Sequence, residues 1–451
     1  MADISSTIVS SLETLIEQKK FNSIKDILAT MNPADIASVL EAMPQPRLVL
    51  LFRLLPKALA AESFVEMDGN TQEILIGGFN DKELKDIVDE LYIDDAVDLI
   101  EEMPSNLVKR ILRQTDAETR RTINEILKYP EDSAGSIMTT EFVDLRPSMT
   151  AAESIDHIRA TGIDSETINI CYVVSDTRKL LGAVSIRAII LAASTAPVSE
   201  FMESHVISVT TLEDQEQVAQ MFAKYNFTAM PVVDTEDRLV GIVTVDDAID
   251  VMQEEATEDI EMMAAVTPSD KPYLRRSVFE LWKSRIPWLM LLMISATFTG
   301  MIITHFESAL GACIVLTSYI PMLMDTGGNS GSQASVTVIR SLSLQEIDFK
   351  DIFRVIWKEF RVSILCGISL AVVNFLKLMI FDRVGISVSL VICITMFATV
   401  LAAKLVGCTL PMLAKKIGFD PAVMASPFIT TIVDALSLLI YFRMASSILH
   451  I

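Results

Sequence analysis

The chain has 451 residues, 51% of them hydrophobic, and a formal net charge of −22. It is too apolar to be wholly soluble and too charged to lie entirely in a bilayer, so the two properties belong to different parts. Residues 1–270 hold 21 basic against 49 acidic residues (−28), and residues 271–451 hold 16 against 10 (+6). The acidic balance argues against nucleic acid, whose binding depends on neutralising phosphates, and an acidic surface attracts cations instead. Residues 1–20 lack a basic start followed by an apolar run, so no cleaved signal peptide is expected and the first half is placed in the cytosol. Four of the five cysteines lie in apolar segments and no C-x-x-C occurs, which argues against a disulfide framework or a zinc site.

Residues 1–130 read as an all-α, acidic, helical-repeat domain. Apolar residues recur at three and four, as in Ile36, Val39, Leu40 and Met43. Residues 35–44 (DIASVLEAMP) align with 95–104 (DAVDLIEEMP) at an offset of 60, the mark of stacked helix pairs that bury their faces on one another.

From 137 to 252 the period changes to β-branched strands alternating with short helices. Residues 171–186 (CYVVSDTRKLLGAVSI) align with 230–245 (MPVVDTEDRLVGIVTV) at an offset of 59, and this doubled α/β pattern resembles a tandem pair of CBS domains. In the second copy, Gly241, Thr244 and Asp247 fit the pattern by which such domains hold phosphate with Thr and ribose with Asp. ATP at Thr244 and Asp247 is the resulting expectation, with a packed regulatory fold lacking any ligand as the alternative. Ala188 stands where the first copy would need its acid.

Residues 246–266 read as one connecting helix. Asp247, Asp250, Glu254, Glu258 and Glu261 line one face; Ile249, Met252, Ala256, Ile260 and Met263 line the other, a side expected to be held by something. Five membrane spans are expected within a 283–451 domain: 286–304, 308–324, 362–376, 384–403 and 421–442. Basic residues before the first span, between the second and third, and between the fourth and fifth place the soluble half inside and the C-terminus outside.

Asp434, inside the last span, is costly in hydrocarbon unless it faces water, a partner or an ion, and is expected to line a pore. The alternative is an ion pair with Lys404 or Lys377. The segment DTGGNSGSQ (325–333) either breaks a helix beside a cavity or forms a small-residue packing surface. Gly328, Asn329, Gln333 and Thr430 are the pore candidates beside Asp434. The acidic stripe, facing Asp94, Asp95 and Asp98 of the helical domain, is either a cation site relieving like-charge repulsion or a solvated face.

Four stretches carry a resemblance over essentially the whole chain: YPEDSAGSIMTTEFV (129–143), GIVTVDDAIDVMQEEATEDIEMMAAV (241–266), GGNSGSQ (327–333) and DPAVMASPFITTIVD (420–434). They resemble the MgtE family of magnesium channels and transporters. The resemblance implies a homodimer with a Mg²⁺ pore on its two-fold axis and Asp434 as pore acid. It also implies regulatory Mg²⁺ at Asp247, Asp250, Glu255, Glu258 and Asp259, with 246–265 as a plug helix; Asp246 and Asp420 are grouped with these. Competing readings are a broader Co²⁺, Ni²⁺ or Mn²⁺ transporter and a membrane-anchored nucleotide sensor. The scattered histidines His157, His205, His305 and His450, without H-E-x-x-H, argue against an enzyme.

Overall fold

The computed structural model describes residues 2–269, 273–274, 276–307, 311 and 313–449. It divides into two compact units, Met1–Met252 and Gln253–Ile451.

In the first unit, short helices run from α1 (Ala2–Glu17) to α10 (Ala117–Ile126). Several are started by side chains whose oxygens take the orphan N–H groups of the first turn: Asn32 for α3 (Pro33–Glu41), Asp68 for α6 (Gly69–Gly78) and Asp116 for α10. Leu40, Leu51, Leu75, Ile76 and Val97 are fully buried between them. The acids of α8 (Ile93–Glu102) therefore project from a helix fixed by its apolar face.

Two three-stranded sheets follow. β1 (Phe142–Leu145) pairs parallel with β2 (Thr167–Val174), which pairs antiparallel with β3 (Leu180–Ser185). β4 (Val209–Thr210), β5 (Ala229–Val233) and β6 (Leu239–Thr244) repeat that order. The sequence repeat reappears in the register, since Cys171 faces Val184 and Met230 faces Val243, each 59 residues on. Tyr172, Val174, Ala229, Leu239 and Ile242 bury one copy against the other.

α15 (Val245–Met263) is the connecting helix. Ala248 and Val251 are buried, whereas Ile249, Met252 and Ile260 are 50%, 46% and 65% exposed. Among the described residues, the expectation that its apolar side is covered is not met at Ile249, Met252 and Ile260, while Met262 and Met263 near its end pack on Ile339, Ala422 and Ala425.

The second unit holds α16 (Val278–His305), α17 (Ile320–Ser343), α18 (Ile352–Lys377), α19 (Ile386–Lys416) and α20 (Ser426–Leu449). Among the described residues, four segments are long and apolar enough to cross a membrane: Val278–His305, Phe349–Asp382, Ile386–Lys416 and Pro421–Leu449. The expected span at 308–324 is corrected. Ile314–Tyr319 is a 3₁₀ segment, and the helix that follows begins at Ile320 and runs through DTGGNSGSQ without a break. Ser308, where that span was to begin, lies outside the described residues, as do Arg275 of the basic run before the first span and His450.

Candidate functional site

α17 stays helical through its glycines because the neighbouring helices need them small. A Cβ on Gly407 of α19 would lie 2.3 Å from the Gly331 carbonyl oxygen, so the two backbones touch. A Cβ on Gly328 would meet Thr430 of α20 at 3.0 Å. The broken-helix reading is thereby replaced by close backbone approach. Gly327, Gly328, Ser330, Gly331, Ala334 and Ser335 form the buried face. Asp325, Asn329 and Gln333, spaced by four, lie together on the exposed face.

Asp434 sits one turn beyond Thr430 on α20, half-buried, and within electrostatic reach of Asp325. Thr430 donates its hydroxyl to the Pro427 carbonyl at 3.0 Å. The two lysines that could have neutralised Asp434 are engaged elsewhere: Lys404 lies 3.9 Å from Glu359 and Lys377 lies 3.1 Å from Asp382. Asp434 is thus a carboxylate at membrane depth without a counter-charge among the described residues.

In the first unit, a cleft of about 370 Å³ is lined by Tyr92, Asp94, Asp95, Glu166, Asp246 and Asp247, among others. Burial, reinforced by Asp247 and Asp95, pushes the buried Asp94 well above the usual carboxylate range. Burial, then repulsion from Asp247, lifts Asp95 to about 7. Burial and the neighbouring acids lift Glu166 to about 8. Asp247 rises to about 6 by burial, held back by the Thr244 hydroxyl, which donates to its Oδ2 at 2.5 Å. Asp98 also shifts upward through burial and Asp247, but its residue is exposed at the edge of the cluster, where water screens it. Asp250 shifts upward by burial and by Asp246. These shifts mean that ionised neighbours repel one another in partly desolvated surroundings.

Glu255, Glu258 and Asp259 lie on later turns of α15. Asp259 accepts a hydrogen bond from Ser343 Oγ at 2.9 Å. Burial pushes it upward, as does Asp420, whereas Ser343 and Arg340 act in the opposite sense. Asp420 Oδ1 accepts the Ala422 N–H at 2.7 Å. The expected acids therefore form two groups, one around Asp94, Asp95 and Asp247, the other around Asp259 and Asp420. Among the described residues no three His, Cys, Asp or Glu side chains are placed to hold one ion directly. The donor set is hard oxygen, which fits a divalent cation held through its waters.

Thr244 and Asp247, the nucleotide candidates, bond to each other, and Asp247 faces the acid-lined cleft. A separate cleft of about 220 Å³ between the two sheets is lined by Tyr172, Tyr225, Phe227 and Pro231, among others. Sequence reasoning missed Glu166 and Asp325. No spacing announces Glu166, because only folding brings it to α8. Asp325 could have been found, since it precedes Asn329 and Gln333 at the same interval of four.

Three sequence profiles match the chain: a divalent cation transporter over 320–444, an MgtE intracellular N domain over 31–132, and CBS domains over 134–195 and 198–254. The magnesium transporter MgtE of Thermus thermophilus is 35% identical over 449 residues, 98% of each chain. The magnesium transporter MgtE of Bacillus subtilis is 32% identical, covering 97% of this chain and 96% of that one. A solved cytosolic domain of the Mg²⁺ channel MgtE in complex with ATP superposes with a TM-score of 0.52 at 34% identity, covering 54% of this chain and 99% of that one. Matched in this way along nearly its full length, the chain belongs to the MgtE family of magnesium transporters, membrane proteins that move an ion and are not enzymes.

Proposed function

We propose that the chain forms a homodimeric, Mg²⁺-selective influx pathway in the cell membrane, closed by its own cytosolic acids when intracellular Mg²⁺ is abundant. The observation that carries the pathway is Asp434, half-buried at membrane depth with both candidate lysines paired elsewhere. Such a carboxylate is tolerable only facing water, a partner or an ion. Asp325, Asn329 and Gln333 add an oxygen-rich strip on α17. A second copy opposite it would enclose a path for a cation that sheds its waters reluctantly, which one Asp per subunit suits. No His or Cys stands in that strip, which favours Mg²⁺ over softer divalent ions. Two charges crossing 100 mV release about 4.6 kcal/mol, so inward flow needs no fuel.

α17 counts as the fifth span. With 24 residues it is about 36 Å long, enough to cross. Five crossings from a cytosolic start put the C-terminus outside, in keeping with Arg354, Lys358, Lys415 and Lys416 on the inner side. The exposed Ile249, Met252 and Ile260 support a second copy covering α15.

For sensing, a divalent cation shared among Asp94, Asp95, Asp98, Asp246, Asp247 and Asp250 would relieve the repulsion that lifts those acids. Cations at Glu255, Glu258, Asp259 and Asp420 would do the same at the other end of α15, the plug. The test is Mg²⁺ flux into liposomes with and without Mg²⁺ on the cytosolic face. Flux that ignores cytosolic Mg²⁺ would sink the sensing, and absent flux the pathway.

A nucleotide reading rests on the relative solved with ATP. ATP at Thr244 and Asp247 would bring its phosphates against Asp94, Asp95 and Glu166, whereas the cleft at Tyr172 and Tyr225 offers stacking surface. Saturable ATP binding weakened by D247N supports the first place; binding weakened by Y172A supports the second.

A further inference from the structure

We infer that Glu141 is a positioning residue that docks α8 on the CBS pair and so sets how much cytosolic Mg²⁺ closes the pathway; this rests on the sensing role proposed above. The argument begins in the internal repeat. At the offset of 60, Asn32 aligns with Tyr92. Asn32 caps α3, its side chain accepting the Ala34 N–H at 3.1 Å. Tyr92 occupies the same position before α8 and supplies no side-chain cap.

The acceptor comes instead from 48 residues further on, where Glu141 Oε2 takes the Ile93 N–H at 2.9 Å. Glu141 directly precedes β1, and its backbone is fixed on both sides. Its N–H donates to Thr139 Oγ1 at 3.3 Å, and its carbonyl accepts the Glu166 N–H at 2.8 Å. The cap of α8 is therefore built into the first CBS copy.

A carboxylate is favoured at a helix N-terminus by the orphan N–H groups and the helix dipole. That explains how one more acid is accommodated beside Asp95 and Glu166, both of which it repels. α8 carries Asp94, Asp95 and Asp98, so the bond presents them to Asp247 without needing a metal. A tether of this kind stabilises the docked arrangement in which cations are shared, and closure then requires less Mg²⁺.

The test uses the full chain in liposomes, with Mg²⁺ titrated on the cytosolic face and hydrogen exchange read at the Ile93 amide. E141A is expected to raise the half-inhibiting Mg²⁺ about three- to tenfold, the range a lost cap commands. It leaves uninhibited flux unchanged and strips protection from Ile93. E141Q keeps an acceptor in place, so its midpoint stays within about twofold of the parent and Ile93 stays protected. An unchanged midpoint in E141A overturns the inference, as do equal shifts in E141A and E141Q, which would make the charge the operative property. If E141A does not fold, Ile93 protection in E141Q decides: retained upholds the cap, lost overturns it. Parent flux indifferent to cytosolic Mg²⁺ would instead defeat the sensing role, while Ile93 exchange still reads the cap.

Discussion

At the scale of the residue, Asp434 is distinguished by what does not accompany it. Glu359 and Asp382 each have a lysine within 4 Å, and Asp434 has Asp325 nearby, a charge of its own sign. Its replacement relieves repulsion and, among the described residues, leaves no cation orphaned. D434A should therefore fold and assemble like the parent, yet lower Mg²⁺ flux by about an order of magnitude or more, as expected of an intramembrane ionisable group that serves transport. Parental Mg²⁺ uptake by D434A in liposomes would remove Asp434 from the pathway. The cytosolic acids make a different prediction. Asp247, Asp95 and Glu166 titrate near 6, 7 and 8, above the 3.8 to 4.5 of free carboxyls, so the folded chain holds more protons than the unfolded one across that window. The linkage sign is then fixed: their arrangement is most stable below about pH 4 to 5 and loses stability as pH rises towards 8. Thermal unfolding of the cytosolic unit without divalent cations should move to lower temperature between pH 5 and 8.5, and millimolar Mg²⁺ should reverse the trend. A midpoint independent of pH in that range would mean that these acids are solvated and weakly coupled.

At the scale of the element, the contact between α17 and α19 depends on two missing side chains. A methyl on Gly407 would collide with the Gly331 backbone, which cannot rotate away. G407A should thus cost about 1–3 kcal/mol or more through overpacking. G300A, on a helix face with nothing within 4 Å, should be neutral or gain up to about 1 kcal/mol from helix propensity. Melting of both variants in detergent separates the effects, and equal melting would dissolve the argument for close packing. The same elements show how far a sequence can be read. The 59-residue repeat was legible because strand alternation and turn residues recur in both copies and fold to one register. The span expected at 308–324 was misread because hydropathy rewards that apolar stretch, whereas the helix that forms, Ile320–Ser343, is rich in Gly and Ser. Its stability comes from contact with α19 and α20, which no window along one segment registers. α15 was legible as a helix, while the openness of its apolar side was not, since a single helix pattern does not say what covers it. The partnership of Glu166 with Asp95 links residues far apart in sequence and leaves no local trace.

At the scale of the molecule, the closing proposed above would be an electrostatic problem, because residues 1–270 carry a balance of −28. Moving a two-state equilibrium from 1:99 to 99:1 takes about 5.5 kcal/mol of differential binding, more than one weak hydrated site supplies and within reach of several. Removing single acids should shift the inhibitory Mg²⁺ concentration modestly, whereas deleting residues 1–130 should leave flux resistant to cytosolic Mg²⁺. Limited proteolysis gives an independent reading. Mg²⁺ should protect the connection between the helical domain and the CBS pair, and Na⁺ at equal ionic strength should not. Protection by both salts alike would return the acidic stripe to the status of a solvated face.

α15 begins in the strand-end threonine motif of the second CBS copy and ends on Ile339, Ala422 and Ala425 of the membrane unit, with no break in 19 residues. Such a helix transmits angle as well as distance, because each residue turns the following side chains by about 100°. In the sensing proposed above, α15 would act as a gear between Asp247 and Asp259. One alanine inserted beside Thr257 would rotate Asp259 away from Ser343 relative to Asp247, and flux should lose its response to cytosolic Mg²⁺. Seven inserted alanines restore the phase to within about 20° while lengthening the helix by about 10 Å. A response that returns with seven and not with one would show that the gear is rotational; a response lost with both would show that length is what counts.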